Sequence, residues 1–527
     1  MRYLSIVVAV LCTAGVTAWA EDWPTYMHDN ARSGVTAESL PLPLREQWIC
    51  RAPAPPQPAW PDPQPNAEMP KMKFDDAFYT VAVGDTVFFG SSVDHQLYAL
   101  DAATGRVRWR FFTGGPIRLA PTVSNGRVYV GSDDGKVYCL AVDDGRLLWD
   151  FTAAPEPRRV IGNGQIISLW PIRTGVLVDD DRLFLGAGIF PHHSPTLNAL
   201  QAKTGRVIPW KDHADKDWIG LSPQGYLLRT SRGLVVPCGR TMPLVVDPDT
   251  GKQLFSVLKL VGYDRQKTGG AAGDYGVVVG DVMHIGTQNA LYGIDVKTGS
   301  LRSRLVPVHR LVASQDSYYV FNAPPLPSAL PKAKGHEYEG VTALDRTRQD
   351  RTPINDPAGI APSIRWRSPR TGVVAMILAG SQLIVGGRGE VAILDTRDGK
   401  ELWAAKVDGD AVGLTVANGR LLVSTTRGHI HGFAFGASAA TPGLVAQLVA
   451  DPEDETVKHT AEVIVQASGV RRGYALVSGP GAAALACELA RRTELRITCL
   501  EADPQQLFAV RKQRLVARGG GAEGGGS

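Results

Sequence analysis

The chain is poor in cysteine, in long apolar runs and in net charge, and each shortage removes a class of function. Six cysteines are spread through 527 residues, and none stands in a Cys-x-x-Cys spacing. Neither a zinc ribbon nor a dithiol redox motif is therefore available, and no structural metal is expected. Cys50, Cys139 and Cys238 stand alone in the sequence, which reads as single buried thiols. Beyond the first 20 residues no stretch approaches the roughly 20 apolar residues that a membrane-spanning helix needs, so no transmembrane span is expected. The formal charge of +4 is small for this length and is not gathered into a run. That argues against nucleic acid as a partner.

One apolar run does stand at the start. Arg2 precedes Leu4–Val16, followed by Ala18-Trp19-Ala20, the pattern of a secretory signal peptide over residues 1–20. Cys12 reads as part of that run, because Leu11 stands where a lipoprotein signal carries a small residue. The mature chain is expected to be periplasmic or secreted, with an envelope protein or a small ligand as its partner. Its length exceeds the ~250–300 residues that one ordinary core fills, unless the chain is a barrel or a repeat.

A repeat is present. An apolar pair, a turn with Asp or Asn, then Thr-Gly or Asp-Gly, a basic residue and often Trp recur as LYALDAATGRVRW from Leu97, VYCLAVDDGRLLW from Val137, LNALQAKTGRVIPW from Leu197, LVVDPDTGKQLF from Leu244, LYGIDVKTGSLRS from Leu291 and VAILDTRDGKELW from Val391. Trp109 and Trp149 are 40 positions apart, a propeller-blade period. Asp-x-x-Thr-Gly offers side-chain acceptors and a glycine able to take positive φ, so each phrase reads as a hairpin between a blade's third and fourth strands. Turn pairs such as Asn125-Gly126 and Asn418-Gly419 mark a preceding strand pair.

The count gives an all-β, eight-bladed propeller over residues 45–435, with a lead segment at 21–44. The sixth blade is the least regular: its hairpin has decayed to VTALDRTRQD, with a proline-rich insertion from Pro324 to Pro331, and seven blades is the fallback. The eighth core, ending in HIHGFAF, lacks a fourth strand, whereas Arg45–Cys50 has a fourth strand's pattern and no blade before it. The two should pair and close the ring, which removes exposed sheet edges.

These hairpins, with DWPTYMHDNARSG from Asp22, resemble the pyrroloquinoline-quinone repeat superfamily, which includes quinoprotein alcohol dehydrogenases and the outer-membrane assembly lipoprotein BamB. The resemblance implies the propeller fold, and implies that Trp109, Trp149, Trp366 and Trp403 pack between blades. Activity does not follow from fold. A quinone site of the dehydrogenase type would carry adjacent cysteines, and no Cys-Cys pair exists. We therefore expect no quinone cofactor and assign no catalytic residue.

Ligands of a propeller meet the face built from second-to-third-strand loops and between-blade loops. The candidates there are Asp94, His95, Arg158, Arg159, Asn163, His192 and His193. Asp133-Asp134, Gln288-Asn289, His429, His213, Asp215, Asp217 and Asp264-Arg265 also fall on those loops. His192-His193, stiffened by Pro191 and Pro195, is the sharpest pair, yet adjacent imidazoles seldom reach one ion, and rim histidines are the expected reading. The segment from Pro157 to Gly175 is the favoured binding loop.

After Phe435 the composition changes. Residues 436–468 read as a linker followed by helices at Leu444–Ala450 and Thr456–Ser468. Residues 469–518 read as strand, glycine turn, helix, strand ending in an acid, helix, before a Gly-rich tail at 519–527. This short, incomplete α/β, Rossmann-like segment resembles the first half of an S-adenosylmethionine-dependent methyltransferase. Gly479 and Gly481 match its glycine turn and Glu501 its ribose acid. Only a first βαβα portion is present, which implies a fold remnant or the truncated product of a longer methyltransferase gene, with S-adenosylmethionine as the ligand such a segment would take.

Overall fold

The computed structural model describes residues 20–52, 54–61, 73–210, 222–239, 243–256, 276–286, 291–305, 308, 310–322, 340–352, 360–437, 454–479 and 481–500. The protein is built mainly of small antiparallel sheets in which consecutive strands are neighbours. Sheet 1 holds Thr80–Val83, Thr86–Gly90, Gln96–Asp101 and Val107–Phe112. Sheet 2 (122–152), sheet 4 (228–256), sheet 5 (276–305) and sheet 6 (310–368) repeat the four-stranded order, and sheet 3 (177–201) has three strands. Sheet 7 has seven strands, because Glu401–Ala417 runs unbroken from what would be the last strand of one blade into the first strand of the next, while Gln382–Asp395 merges two strands of a single blade.

The first strands of successive sheets lie side by side about an axis. Thr80–Val83 borders Thr122–Ser124, which borders Leu177–Asp179. Arg229 Nε donates to Asp179 at 2.8 Å to link sheets 3 and 4. Sheets 4, 5, 6 and 7 follow in the same manner, and Glu401–Ala417 returns to Thr80–Val83. This is a β-propeller. Leu44–Arg51 pairs antiparallel with His429–Phe435, so the early strand does complete the last hairpin, as its pattern predicts.

One contact repeats between sheets. In five places a tryptophan at the outer edge of one sheet lies on the Thr-Gly or Asp-Gly turn of the next sheet, and Phe255 of sheet 4 takes the same place over Gly299. Each indole N–H donates to a carbonyl of that turn: Trp48 to Ala102 at 3.0 Å, Trp109 to Val142 at 2.8 Å, Trp149 to Ala202 at 3.2 Å, Trp210 to Pro248 at 3.1 Å and Trp366 to Thr396 at 2.9 Å. Trp403 donates to Leu44 O at 3.1 Å. Beneath the first of these rings sits Gly105, and beneath the next Gly145, with φ of +68° and +69°; an added Cβ would come within 2.6 and 2.4 Å of indole carbons. Only glycine satisfies both the left-handed backbone and the close approach.

The contact is lost at the junction between sheets 5 and 6, and lost on both sides. Ser303 faces Gly293 where Trp109 faces Ala99 in sheet 1. The facing turn of sheet 6 is replaced by a short helix, Arg346–Arg351, whose first turn is capped by Asp345 accepting from Arg348 N–H. Instead, His284 of sheet 5 meets the edge of Tyr318 at 5.6 Å, and Arg346 lies over the same ring. Burial pulls His284 down to about 4. The insertion Pro324–Pro331 lies outside the described residues.

Turn aspartates hold the hairpins. Asp101 accepts from the Ala103 and Thr104 N–H groups, and Asp247 from those of Asp249 and Thr250. Asp395 is held at about 2 by the Arg397 side chain and backbone N–H. Beyond the ring, helix Glu455–Ser468 precedes a parallel pair, Arg472–Ser478 with Glu494–Leu500, joined by helix Ala482–Arg492. This matches the expected strand–turn–helix–strand order, and Ala461, Val465, Val477, Ala482, Ala486 and Leu489 form its own core. Leu444–Ala450 and Glu501 lie outside the described residues.

Two outcomes follow from these contacts. Gly145→Ala combines a left-handed backbone with an overpacked indole and should cost about 2–4 kcal/mol, measured by denaturant unfolding, with Gly419→Ala, which meets no neighbour within 4 Å, as the comparison for backbone strain alone. A carboxylate whose native pKa is depressed adds stability that is complete above its unfolded pKa and is lost as pH falls through the native one. The melting temperature should therefore drop between about pH 4 and 2, less steeply in Asp395→Asn.

Candidate functional site

The lead segment runs across the ring axis. Trp23 bridges Ala82 of sheet 1, the Val123 N–H donates to Pro24 O, Asn30 Nδ2 donates to Val178 O, and the Val278 N–H donates to Ala31 O. Val35–Thr36 then adds a parallel strand to Leu378–Ala379. Arg32, 1% exposed, donates to Leu227 O, Thr25 and Tyr26 O, and burial pulls its guanidinium down to about 10. All these contacts fall near the ends of first strands, beside their turns. The segment thus plugs one end of the ring.

The opposite end carries the second-to-third and between-sheet loops. Over sheets 1 to 3 it is covered by the chain's own proline-rich stretch 54–61. Gln57 Nε2 donates to Asn163 O at 2.7 Å, Asn163 Nδ2 donates to Pro58 O at 2.7 Å, and Gln165 Nε2 donates to Gln57 Oε1 at 2.8 Å. Trp60 donates to Gln224 at 2.8 Å and lies under the Arg173 guanidinium.

Beneath this strap is a buried ionic cluster. Arg118 Nε donates to Asp133 at 2.5 Å and its Nη1 to Asp75 at 2.9 Å, while Arg173 Nε donates to Asp133 at 3.1 Å. Burial pushes the Asp133 carboxyl up, but the Arg118 and Arg173 charges more than offset it and hold it below the usual carboxylate range. At Asp75 burial wins over the same two charges and the carboxyl is raised. The arginine charges are thereby spent within the cluster.

Beside the cluster an axial cavity of about 560 Å³ opens among sheets 1, 6 and 7. Its floor is the plug: Trp23, Tyr26 and Met27. Its walls are first-strand residues Ala375–Ile377 and Val412–Thr415 together with Phe321. Lys73, Asp76, Arg310 and Asp410 supply its charged lining, Lys73 and Asp76 from the stretch before Thr80–Val83, Arg310 from the start of Arg310–Ala313 and Asp410 from within Glu401–Ala417. Tyr79 donates its hydroxyl to Asp76 at 2.8 Å, and its pKa is driven well above the ordinary value by burial, with the Asp76 charge adding to it. Tyr26 stacks on Tyr226 at 3.5 Å.

The residues singled out in the sequence divide between these places. Asp94 accepts from the Tyr98 hydroxyl at 2.5 Å and from Gln96, which makes it a loop brace; Asp134 does the same for Tyr138. His95 (φ +61°) bonds Gln165 at 2.6 Å. Asn163 (φ +44°) turns the hairpin Arg159–Ser168 and clips the strap, while Arg158 and Arg159 remain exposed at its base. His192 and His193 end a short 3₁₀ turn, with rings 4.1 Å apart, and Trp170 donates to His193 O at 2.6 Å. Among the described residues, none of these belongs to a group of three or more metal-type ligands. His213, Asp215, Asp217, Asp264-Arg265 and Gln288-Asn289 lie outside the described residues. In the tail, Gly479 and Gly481 take φ of +104° and +75° at the turn before helix Ala482–Arg492. The cavity groups Asp76, Arg310 and Asp410 were not legible, because each stands in a different stretch of chain and only ring closure unites them.

Removing the acid that serves two guanidiniums should be severe. Asp133→Ala would strand Arg173 in a buried setting, leave Arg118 with Asp75 alone and cost about 3–5 kcal/mol, read by denaturant unfolding.

Comparison with known proteins agrees with this architecture. Two solved structures share the fold: a europium-containing methanol dehydrogenase (TM-score 0.54, 13% identity, 79% of this chain and 98% of that one) and the quinohemoprotein alcohol dehydrogenase from Comamonas testosteroni (TM-score 0.54, 14% identity, 84% and 85%). The quinohemoprotein alcohol dehydrogenase ADH IIB of Pseudomonas putida is 30% identical over 148 residues, which span 24% of this chain and only 20% of that protein. The sequence profile of the outer membrane protein assembly factor BamB family matches residues 7–208 and 339–441. With more than half of its length matched, the chain belongs to the outer membrane protein assembly factor BamB family.

Proposed function

We propose that the protein is an exported, eight-bladed propeller that acts as a non-catalytic binding platform in the cell envelope. It would take a protein partner or a small ligand on the end of the ring opposite its plug. The observation that carries this reading is the asymmetry of the axis: one end is sealed by residues 22–36, and the other holds a cavity with a charged lining. Eight blades are supported by five four-stranded sheets, by sheet 3, and by the division of sheet 7 into two hairpin sets, the second completed by Leu44–Arg51. Export rests on the pattern of residues 1–20.

A quinone would find a poor fit. Its site in the dehydrogenases pairs adjacent cysteines, whereas Cys50, Cys139 and Cys238 are buried thiols far apart in the chain. Arg118 and Arg173, two buried cations near the axis, are neutralised by Asp133 and Asp75. The stretch of identity to a quinohemoprotein dehydrogenase favours the oxidoreductase alternative. In the tail, the parallel pair and the glycine turn support a nucleotide-fold remnant, with S-adenosylmethionine as the ligand to test.

The mature chain used as bait in envelope extract should retain a specific partner and show no alcohol oxidation with pyrroloquinoline quinone and calcium. Quinone absorbance that depends on calcium, with alcohol turnover and no partner, would replace this reading with the oxidoreductase. Titration calorimetry with S-adenosylmethionine tests the tail: no heat is expected, and heat abolished by Glu501→Ala would establish a ligand site there.

A further inference from the structure

We infer that the seat beneath the strap 54–61 is a peptide site: the strap is its resident occupant, and an extended, proline-containing segment of a partner, with Gln and Trp spaced as Gln57 and Trp60 are, competes for it. This rests on the reading of the ring as a binding platform and names the surface and the chemistry of the partner.

The ring reads the strap as a bound peptide is read. Residues 54–61 belong to no strand, and Pro55, Pro56, Pro58 and Pro61 have no N–H to give to a ladder. Side chains of the ring bond the backbone instead. The Gln57 N–H donates to Ser92 Oγ at 3.0 Å, Arg118 Nη1 to Gln57 O at 2.7 Å, Asn163 Nδ2 to Pro58 O at 2.7 Å and the Ala59 N–H to Asp75 at 2.7 Å. Docking of an extended proline-rich segment in a preformed groove is a recurring mode of peptide recognition.

Side chains of the strap are read as well. The Gln57 amide is matched at both ends, donating to Asn163 O and accepting from Gln165 Nε2, which a carboxylate could not do. Trp60 donates to buried Gln224 at 2.8 Å and presents its face to the Arg173 guanidinium. Between them Ala59 is buried with Phe74 and Leu119, a position that suits a small residue.

Ring geometry does not require this detour. Residues 52–79 join Arg51 to Thr80, whereas residues 113–121 suffice from Phe112 to Thr122, the corresponding connection one sheet on. The strap also leaves Arg118 Nη2 and Arg173 Nη1 without a hydrogen-bond partner among the described residues. An occupant that supplies an acceptor there has an advantage the strap lacks.

The test is titration calorimetry with the peptide Ala-Pro-Pro-Gln-Pro-Ala-Trp-Pro, the sequence of residues 54–61, against the mature chain and against the double variant Gln57→Ala with Trp60→Ala. Those changes weaken the resident strap and leave the seat intact. Saturable one-to-one binding to the variant is expected, about tenfold or more tighter than to the parent, where the tethered strap competes at high effective concentration. A peptide with Ala at its Gln and Trp positions should not bind. Absence of binding to the folded variant, or equal binding of the altered peptide, would overturn the proposal. Should the double variant fail to fold, amide hydrogen exchange of the parent decides. The Gln57 and Ala59 amides should exchange about a hundredfold or more faster than those of Val87 and Phe88 in sheet 1; equal rates would mean a strap that never lifts and would refute the site. If the parent holds an envelope partner that excess peptide does not displace, the peptide assignment falls and the platform reading stands.

Discussion

The seating of an indole on a left-handed glycine is the interaction on which the rest of the molecule depends. A single antiparallel sheet of four strands cannot bury both faces by itself, and the outer strand is its weakest edge. Docking Trp48, Trp109, Trp149, Trp210 and Trp366 onto the next turn joins each outer edge to the neighbouring sheet through apolar contact and one indole hydrogen bond. Each dock involves two sheets, so a change on one side alters what the other side meets. At the junction of sheets 5 and 6 both halves have changed: Ser303 replaces the ring on one side and the Arg346–Arg351 helix replaces the glycine turn on the other. The gap is filled by His284 and Tyr318.

A second constraint comes from the chain's beginning. Residues 22–36 occupy the axis and Leu44–Arg51 completes the last hairpin, so the first and last parts of the ring are one packing unit. The same passage creates the candidate site. With the plug as its floor, the axis becomes a blind cavity, and the strap 54–61 covers the adjoining cluster of Arg118, Arg173, Asp75 and Asp133. A buried acid shared by two arginines is tolerable only when all of its partners are in place, so this cluster, the strap and the clipping hairpin Arg159–Ser168 depend on one another.

Much of the fold was legible because it is local. Asp-x-x-Thr-Gly carries both its acceptor and its positive-φ residue, and it forms the turn whatever lies around it; the order of the tail, from Arg472 to Leu500, was legible for the same reason. The candidate site was far less so. Asp94, His95 and Asn163 stand on the expected loops, but their side chains are engaged inside the chain, by Tyr98, Gln165 and the strap. Neither hydrophobic periodicity nor turn chemistry carries information about such long-range partners.

The sequence by itself determined the repeat, the hairpins, the family's fold and the pairing of the early strand with the last hairpin, since each rests on residues within a few positions or on an unmatched strand pattern. Tertiary structure alone decided which end of the ring is sealed, that the strap covers the buried arginines, and that Lys73, Asp76, Arg310 and Asp410 line one cavity. The physical reason is ring closure: it brings together side chains more than 300 residues apart, such as Asp76 and Asp410, at positions where no local rule required a charge.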